Sequence, residues 1–323
     1  MAAALAAKAK ETIRRSLLES LLANSHRDCI PSFNSKEIKL SRLLGTGEFS
    51  QVYEIKSFCL DSVPPQASTA KDVEVRQYMS SRERYRNTKI CTYALKHLRP
   101  TLTQKYKPNQ YAQFASDLAQ EAELLSVLQH PNIIKLRGVS STGFEQGPKG
   151  YFLIIDRLNE TLSQRIAKWK KSTKKLSLDF LQSIKRGGVG AADSLLSNKL
   201  EVLLQLAAAL MYLHENNIIY RDTKPQNVGF DVRGDLKLFD FGLAKLLPSN
   251  DNYQDTYKLS MAGTPRFMAP EVLCEKSKGY NLKADVYSFS VVMWEVLSLE
   301  KPVDRWSTPR DQSLLAYLSN RYI

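Results

Sequence analysis

Followed along its apolar and polar positions, the chain changes texture twice. The opening MAAALAAKAKETIRRSLLESLLANS is rich in helix formers, and Leu17, Leu18, Leu21 and Leu22 cluster toward one side, which predicts an N-terminal helical extension over about residues 1–35. From EIKLSRLLGTGEFSQVYEI onward, short alternating runs around a glycine turn predict β-strands. A polar segment over residues 64–89 interrupts them and reads as a long exposed loop within an insertion at about 57–89. Strand texture returns at CTYALKHL, gives way to a helix from about Phe114 to Gln129, and resumes in a pair ending in YFLIIDRL. Beyond it come the helical patterns NKLEVLLQLAAALMYLHENN and NLKADVYSFSVVMWEVLSL, separated by a hairpin and a polar loop. Strands first and helices second predict an α+β fold of two lobes: a small β-rich one over 36–157 and a larger helical one over 158–323, joined near Asp156 to Leu158.

Composition narrows the picture only slightly. At 323 residues, 43% hydrophobic and 24% charged, the chain is ordinary for a globular protein of one large domain or two lobes. No apolar run approaches the roughly 20 residues of a membrane span, so none is expected. Cys29, Cys59, Cys91 and Cys274 are scattered without metal-ligand or disulfide spacing, which fits a reducing compartment. Arg14 and Arg15 beside Ala and Ser give a faint transit-peptide character, but Glu11 and Glu19 count against it. The default expectation is the cytoplasm, with the nucleus open. A net charge of +13 would recruit polyanions, yet no aromatic-basic recognition motif accompanies it and no nucleic-acid partner is expected. Much of that charge lies in KWKKSTKKLSLDFLQSIKR, which reads as a solvated loop in a basic insertion at about 168–198.

Three local patterns carry chemistry. NVGFDVRGDLKLFD reads as two strands about a turn centred on Arg233 and Gly234, a centre that sets Asn227 opposite Asp240 at the mouth of the hairpin. An amide oxygen and a carboxylate converging there are hard ligands suited to Mg²⁺, although either alone would ordinarily be a loop hydrogen-bonder. Asp222 and Lys224 lie just upstream on the same approach. In LLGTGEFSQV, Gly45 and Gly47 let backbone amides approach a ligand. No Gly-Lys-Ser/Thr follows, which excludes a Walker A loop, and no helix or third glycine opens after it, which removes the dinucleotide fingerprint. What survives is a β-hairpin lid over an anion. On a helix, Leu118, Glu121, Leu125 and Leu128 share one face, so Glu121 lies within an inward apolar stripe and needs a cation. Lys96, in YALK, is the nearest upstream candidate.

Together these motifs resemble a eukaryotic protein kinase. GTGEFSQV is similar to the glycine-rich loop, YALK to the strand with the phosphate-contacting lysine, and YRDTKPQN to the catalytic loop, while DFG and APE bracket an activation segment. The five motifs fall in family order over about residues 38–300. The resemblance implies a two-lobed kinase fold, ATP and Mg²⁺ as cofactors, and a phosphotransferase acting on serine or threonine hydroxyls of protein substrates. Carried over, it implies that Leu44, Gly45, Thr46, Gly47, Glu48, Phe49 and Ser50 cover the nucleotide, that Val52 and Ala94 cover the adenine, and that backbone near Asp156 and Leu158 bonds its edge. Lys96, held by Glu121, would contact the α- and β-phosphates. Asp222 would accept the substrate proton, Lys224 would offset charge on the transferring group, and Asn227 and Asp240 would hold Mg²⁺. Thr264 in GTPRFMAPE would bond the catalytic loop, and the ending ADVYSFSVVMWEVLSLEKP resembles the tyrosine-kinase-like group. Arg221 before Asp222 implies regulation by phosphate on the activation segment, at Thr256 or Ser260, added by an activating kinase or by the protein itself.

Several positions depart from the family pattern. Ser50 replaces the third lid glycine and Tyr220 the usual histidine. Gly229 stands where a leucine supports the adenine, a loss worth about 1–3 kcal/mol unless Phe230 compensates. After EKPVDRWSTPRDQSLLAYLSNRYI the chain stops where the family continues through further helices, one of which supplies an arginine partner for Glu271. The larger lobe is therefore expected to be incomplete. Two functions stay open: an active kinase, or a nucleotide-binding pseudokinase or scaffold without transfer.

Overall fold

A six-stranded sheet organises the first half of the chain in a computed structural model. The structure describes residues 30–302, apart from 61–69, 85–87, 89–90, 107, 145–146, 184–189, 249–254 and 275–278. The sheet comprises β1 (Ser32–Phe33), β2 (Ile38–Thr46), β3 (Ser50–Phe58), β4 (Tyr93–Leu98), β5 (Leu136–Ser140) and β6 (Phe152–Asp156), in the spatial order β1-β5-β6-β4-β3-β2. Central strand β4 is buried along its whole length because both of its faces are covered. Ala94 and Leu98 belong to the main core, while Tyr93 and Leu95 join Phe33, Ile55, Phe58, Met79, Phe152 and Ile154 on the other face. Ser32 and Phe33, assigned by sequence to a helical extension, instead form an edge strand parallel to β5. Residues 1–29 of that extension lie outside the described residues.

The polar insertion differs from its sequence reading. Part of it forms helix α1 (Ala70–Ser81), in which Arg76 and Met79 are buried. No apolar stripe announces this helix; it is held by a long-range ion pair. The Arg76 guanidinium donates to Glu37 and to the Ser32 carbonyl, and lies 4.9 Å from the Phe33 ring centroid. Such a partnership, formed about 40 residues apart in the chain, leaves no local period to read.

After a short helix α2 (Leu102–Lys105), helix α3 (Pro108–Val127) starts earlier than predicted, with proline at its first position, where no N–H is needed. Leu118, Glu121, Ala122 and Leu125 are buried against the sheet. The chain leaves the sheet where expected. Asp156 ends β6, and Leu158 begins β7 (Leu158–Thr161), which belongs to a separate sheet of order β10-β9-β7 with β9 (Val228–Asp231) and β10 (Leu236–Leu238). Buried Arg157 fastens this crossing: its N–H donates to the Thr92 carbonyl at 2.9 Å, and its guanidinium to Glu54 at 2.8 Å.

The second lobe contains α4 (Leu162–Ser183), α5 (Gly190–Glu215), β8 (Ile218–Ile219), β11 (Lys245–Leu246), α6 (Pro270–Leu273) and α7 (Lys283–Ser298). The basic stretch is thus helical at both ends rather than a solvated loop. Leu162, Ile166 and Trp169 make an inward stripe, while Lys168, Lys170 and Lys171 stay in water on the same helix. Within α5, Ser194–Glu215 is long and apolar enough to cross a membrane by length and composition alone, a property that buried core helices share. Leu206, Ala209, Leu210 and Leu213 of that helix are packed in the main core. Residues 303–323 lie outside the described residues; Glu271 is exposed in α6.

Candidate active site

The lower half of the cleft is a loop held from below. β8 pairs antiparallel with β11, bringing the segment after Ile219 beside the segment before Lys245. Fully buried Asp285, in the first turn of α7, accepts the N–H groups of Tyr220 at 2.7 Å and Arg221 at 2.8 Å. Arg221 adopts φ 72°, a left-handed conformation that a non-glycine residue keeps only when its surroundings hold it. Tyr220 packs edge-on against Phe241 at 5.2 Å and donates its hydroxyl to the Phe239 carbonyl. Burial first, and then the Asp240, Asp222 and Glu121 carboxylates, push its pKa well above the ordinary tyrosine value, so the phenol is a neutral donor.

Asp222 is the centre of a small network. One oxygen accepts from Asn227 Nδ2 at 2.8 Å and lies 2.7 Å from Lys224 Nζ; the other accepts from Thr264 Oγ1 at 2.9 Å. Lys224 in turn donates to Thr264 Oγ1 at 2.8 Å, so Thr264 meets the loop as expected. Gly263 makes this approach possible. Its φ is +117°, and a Cβ there would lie 2.4 Å from the Arg221 carbonyl oxygen, so the incoming segment passes too close for any side chain. Arg221 is also engaged, donating to the carbonyls of Leu243 at 2.6 Å and Ser260 at 3.3 Å and to the Tyr280 hydroxyl at 3.3 Å. Thr256 and Ser260 are exposed.

The hairpin register corrects the sequence reading by one residue. Leu238 pairs with Val228 and Leu236 with Phe230, and Phe239 N–H donates to the Asn227 carbonyl at 3.0 Å, so Asn227 faces Phe239 rather than Asp240. The loop holds three residues, Val232, Arg233 and Gly234, instead of two. Asp231 accepts from the N–H groups of Arg233 and Asp235 at 2.8 and 3.1 Å, and Gly234 takes φ +93°. An aspartate before a loop whose last residue is a left-handed glycine is the available signal for this longer turn. Asp240 follows the last pair in a left-handed conformation, φ 66°, and swings its carboxylate to Lys96.

Lys96 joins the lobes. Its ammonium donates to both oxygens of Glu121, at 2.9 and 2.7 Å, and to Asp240 at 2.8 Å. Burial opposes the charge on Lys96, but Asp240 and Glu121 outweigh it and raise its pKa above the ordinary lysine value. Burial raises the Glu121 pKa against the pull of Lys96, whereas Lys96 chiefly holds Asp240 below the usual carboxylate range. The Asp240 side chain is 46% exposed to the cleft, so water damps that last effect. Glu121 also accepts the Phe241 N–H at 3.3 Å.

The lid and walls complete the cleft. Thr46, Gly47 and Glu48 form the exposed tip between β2 and β3, with Gly47 N–H bonded to the Ser50 carbonyl at 2.9 Å, and a Cβ on Gly45 would meet nothing within 4 Å. Phe49 stacks on Phe114 of α3 at 4.1 Å, and Arg99 donates its N–H to the Phe49 carbonyl at 2.9 Å and its guanidinium to that of Glu48 at 3.3 Å. Arg99, Phe114, Arg157 and Asp285 escaped the sequence reading because their partners lie far along the chain. Leu44, Val52, Leu158 and Phe239 are half-buried against the main core, which contains buried Ala94. The Asp156 carboxylate is turned away to Arg137, at 2.7 and 3.1 Å. Phe230 does not compensate for Gly229. It points to the opposite face of β9, beneath the Arg165 guanidinium at 3.1 Å, and borders a separate cavity of about 460 Å³ with Glu160, Lys168 and Trp169.

The donors fit the expected cofactors. Among the described residues no group of three or more His, Cys, Asp or Glu could cage a metal. An amide and a carboxylate, Asn227 and Asp240, suit Mg²⁺, which is held by one or two protein oxygens together with substrate phosphates and water. The open Gly45 of the lid, where a Cβ would meet nothing within 4 Å, and the half-buried apolar side chains of Leu44, Val52, Leu158 and Phe239 suit a nucleoside phosphate.

Comparison with known proteins identifies the family. The family model described as protein kinase domain matches residues 77–316. The cAMP-dependent protein kinase type 3 of Saccharomyces cerevisiae is 28% identical over 273 residues, covering 84% of this chain and 51% of that protein. "Probable serine/threonine-protein kinase nek1" of Dictyostelium discoideum is 32% identical over 57% of this chain and 36% of its own length. G-type lectin S-receptor-like serine/threonine-protein kinase LECRK3 of Oryza sativa subsp. indica is 39% identical over 38% and 15%, respectively. The chain spans about half or less of these relatives.

Proposed function

The chain belongs to the protein kinase family, and from that premise we propose that it is an active, Mg²⁺-dependent serine/threonine kinase that transfers the γ-phosphoryl group of ATP to protein hydroxyls. The observation that carries this reading is the Lys96 bridge. One ammonium is within 2.8 Å of Asp240 and 2.7 Å of Glu121, so the phosphate-facing and metal-facing groups of the two lobes are already assembled. When bound, ATP with Mg²⁺ supplies the phosphoryl group and neutralises its charge. Asp222 orients the acceptor hydroxyl and takes its proton, and Lys224, steadied by Thr264, faces the developing negative charge. Asn227 and Asp240 would hold the metal, and Lys96 would hold the α- and β-phosphates. Lys224, two residues after Asp222, supports serine or threonine as acceptor. The stretch ADVYSFSVVMWEVLSLEKP, which forms most of α7, supports placement in the tyrosine-kinase-like group. Phosphorylation at Thr256 or Ser260, by an activating kinase or by the protein itself, is supported by Arg221 reaching the Ser260 backbone.

Gly229 favours a second reading, a nucleotide-binding scaffold without transfer. The experiment is γ-labelled ATP with a basic acceptor protein, with and without Mg²⁺, followed by identification of the labelled amino acid. Phosphoserine or phosphothreonine that disappears in Asp222→Asn supports the kinase; nucleotide binding without any label supports the scaffold.

A further inference from the structure

Gly229 lies inside β9, paired with Lys237 on one side and Thr161 on the other, where a glycine weakens a strand and marks a close approach. The approaching group is Leu158. A Cβ at Gly229 would lie 2.5 Å from Leu158 Cδ1, 3.3 Å from Leu158 Cγ and 3.2 Å from Phe239 Cε1. The space above Gly229 is therefore filled by a leucine from a different strand. Leu158 begins β7 directly after the crossing between the sheets, and Arg157 fastens that crossing through Glu54 and the Thr92 carbonyl. Leu158 and Phe239 are only half-buried, as are Leu44 and Val52, and all four pack against the core that holds Ala94.

We propose that the Leu158 side chain is the floor of the purine slot, a positioning residue for the base, and that Gly229 is the vacancy that admits it. This rests on the kinase reading of the cleft. Two consequences follow from the geometry. Base affinity depends on residue 158, and the two positions are reciprocal: a side chain at 229 displaces the Leu158 methyl, whereas a leucine at 229 takes over once Leu158 is shortened.

The test uses the full chain and measures the ATP dissociation constant, the KM for ATP against kcat, and the nucleotide-free melting temperature. Leu158→Ala is expected to weaken ATP about tenfold, the loss of part of a buried leucine, and to act on KM rather than kcat. Gly229→Ala is expected to weaken it in the same sense, serving also if Gly229→Leu alone fails to fold. The double variant Leu158→Ala/Gly229→Leu is expected to return to within about threefold of the parent, because the two changes couple directly. Parental ATP affinity in Leu158→Ala, or a double variant that binds no better than Leu158→Ala, overturns the proposal while leaving the kinase reading intact. A lower melting temperature with unchanged affinity overturns it too, by making the contact structural only. If the parent itself binds no ATP, the kinase reading falls and this inference falls with it.

Discussion

Lys96 and Glu121 form a doubly hydrogen-bonded ion pair, 2.7 and 2.9 Å long, with both side chains shut off from water. The pair ties α3 to β4, and the same ammonium reaches across to Asp240 at 2.8 Å. Removing the cation strands a buried carboxylate. Lys96→Met is therefore expected to cost about 3–5 kcal/mol of stability, measured by urea denaturation, and to abolish phosphoryl transfer. A variant as stable as the parent would show that the pair is not held as described.

Thr264 connects the activation segment to the catalytic loop through one hydroxyl that donates to Asp222 and accepts from Lys224. Thr264→Val keeps the shape and removes both bonds, and is expected to lower kcat by about tenfold to a hundredfold with little change in melting temperature. Thr264→Ser is expected to stay near parental turnover. Equal loss in both variants would point to packing rather than to the hydroxyl.

Tyr220 gives a prediction in pH. Its folded-state pKa lies well above the ordinary value of 10.0, so the folded protein keeps the phenol proton that an unfolded chain releases. The stabilisation from this group is fully present below pH 10 and is lost as pH rises beyond it. At pH 7, Tyr220→Phe is expected to be about 1 kcal/mol less stable, for want of the bond to the Phe239 carbonyl. Above pH 10 that gap is expected to close, because only the parent has this ionisation to resist. Denaturation curves of the two proteins at pH 7 and pH 10.5 check the sign; a gap that widens contradicts it.

Arg76 holds α1 on the sheet through Glu37, Ser32 and Phe33. Arg76→Met takes the guanidinium from a buried carboxylate and is expected to cost about 3 kcal/mol, with Glu37→Leu added in the same chain restoring most of it. Hydrogen exchange should show α1 opening first in the single variant.

These residues also mark how far the sequence could be read. Glu121 was legible because helical spacing places it between Leu118 and Leu125, and the demand for a cation then pointed to Lys96. The hairpin was legible as a hairpin but not in register: the Asp231 side chain lengthens the loop by one residue, and a one-residue shift moves every pairing. α1 was illegible because its one strong anchor, Arg76, binds residues about 40 positions away. The basic segment looked like a loop because its lysines outnumber the short stripe of Leu162, Ile166 and Trp169. Asp285 carried no local signal at all, since its meaning lies in two backbone N–H groups more than 60 residues upstream.

Turnover is tested by comparing the parent with Asp222→Asn in one preparation, recording Mg²⁺-dependent ATP binding by thermal shift beside transfer of labelled γ-phosphate. Asp222 accepts bonds from Asn227 and Thr264, and in the proposed reaction it takes the proton of the acceptor hydroxyl. The expected result is a similar nucleotide-induced shift in both proteins, with label on serine or threonine in the parent alone. A parent that binds ATP and transfers nothing, or equal labelling in both proteins, would contradict the account.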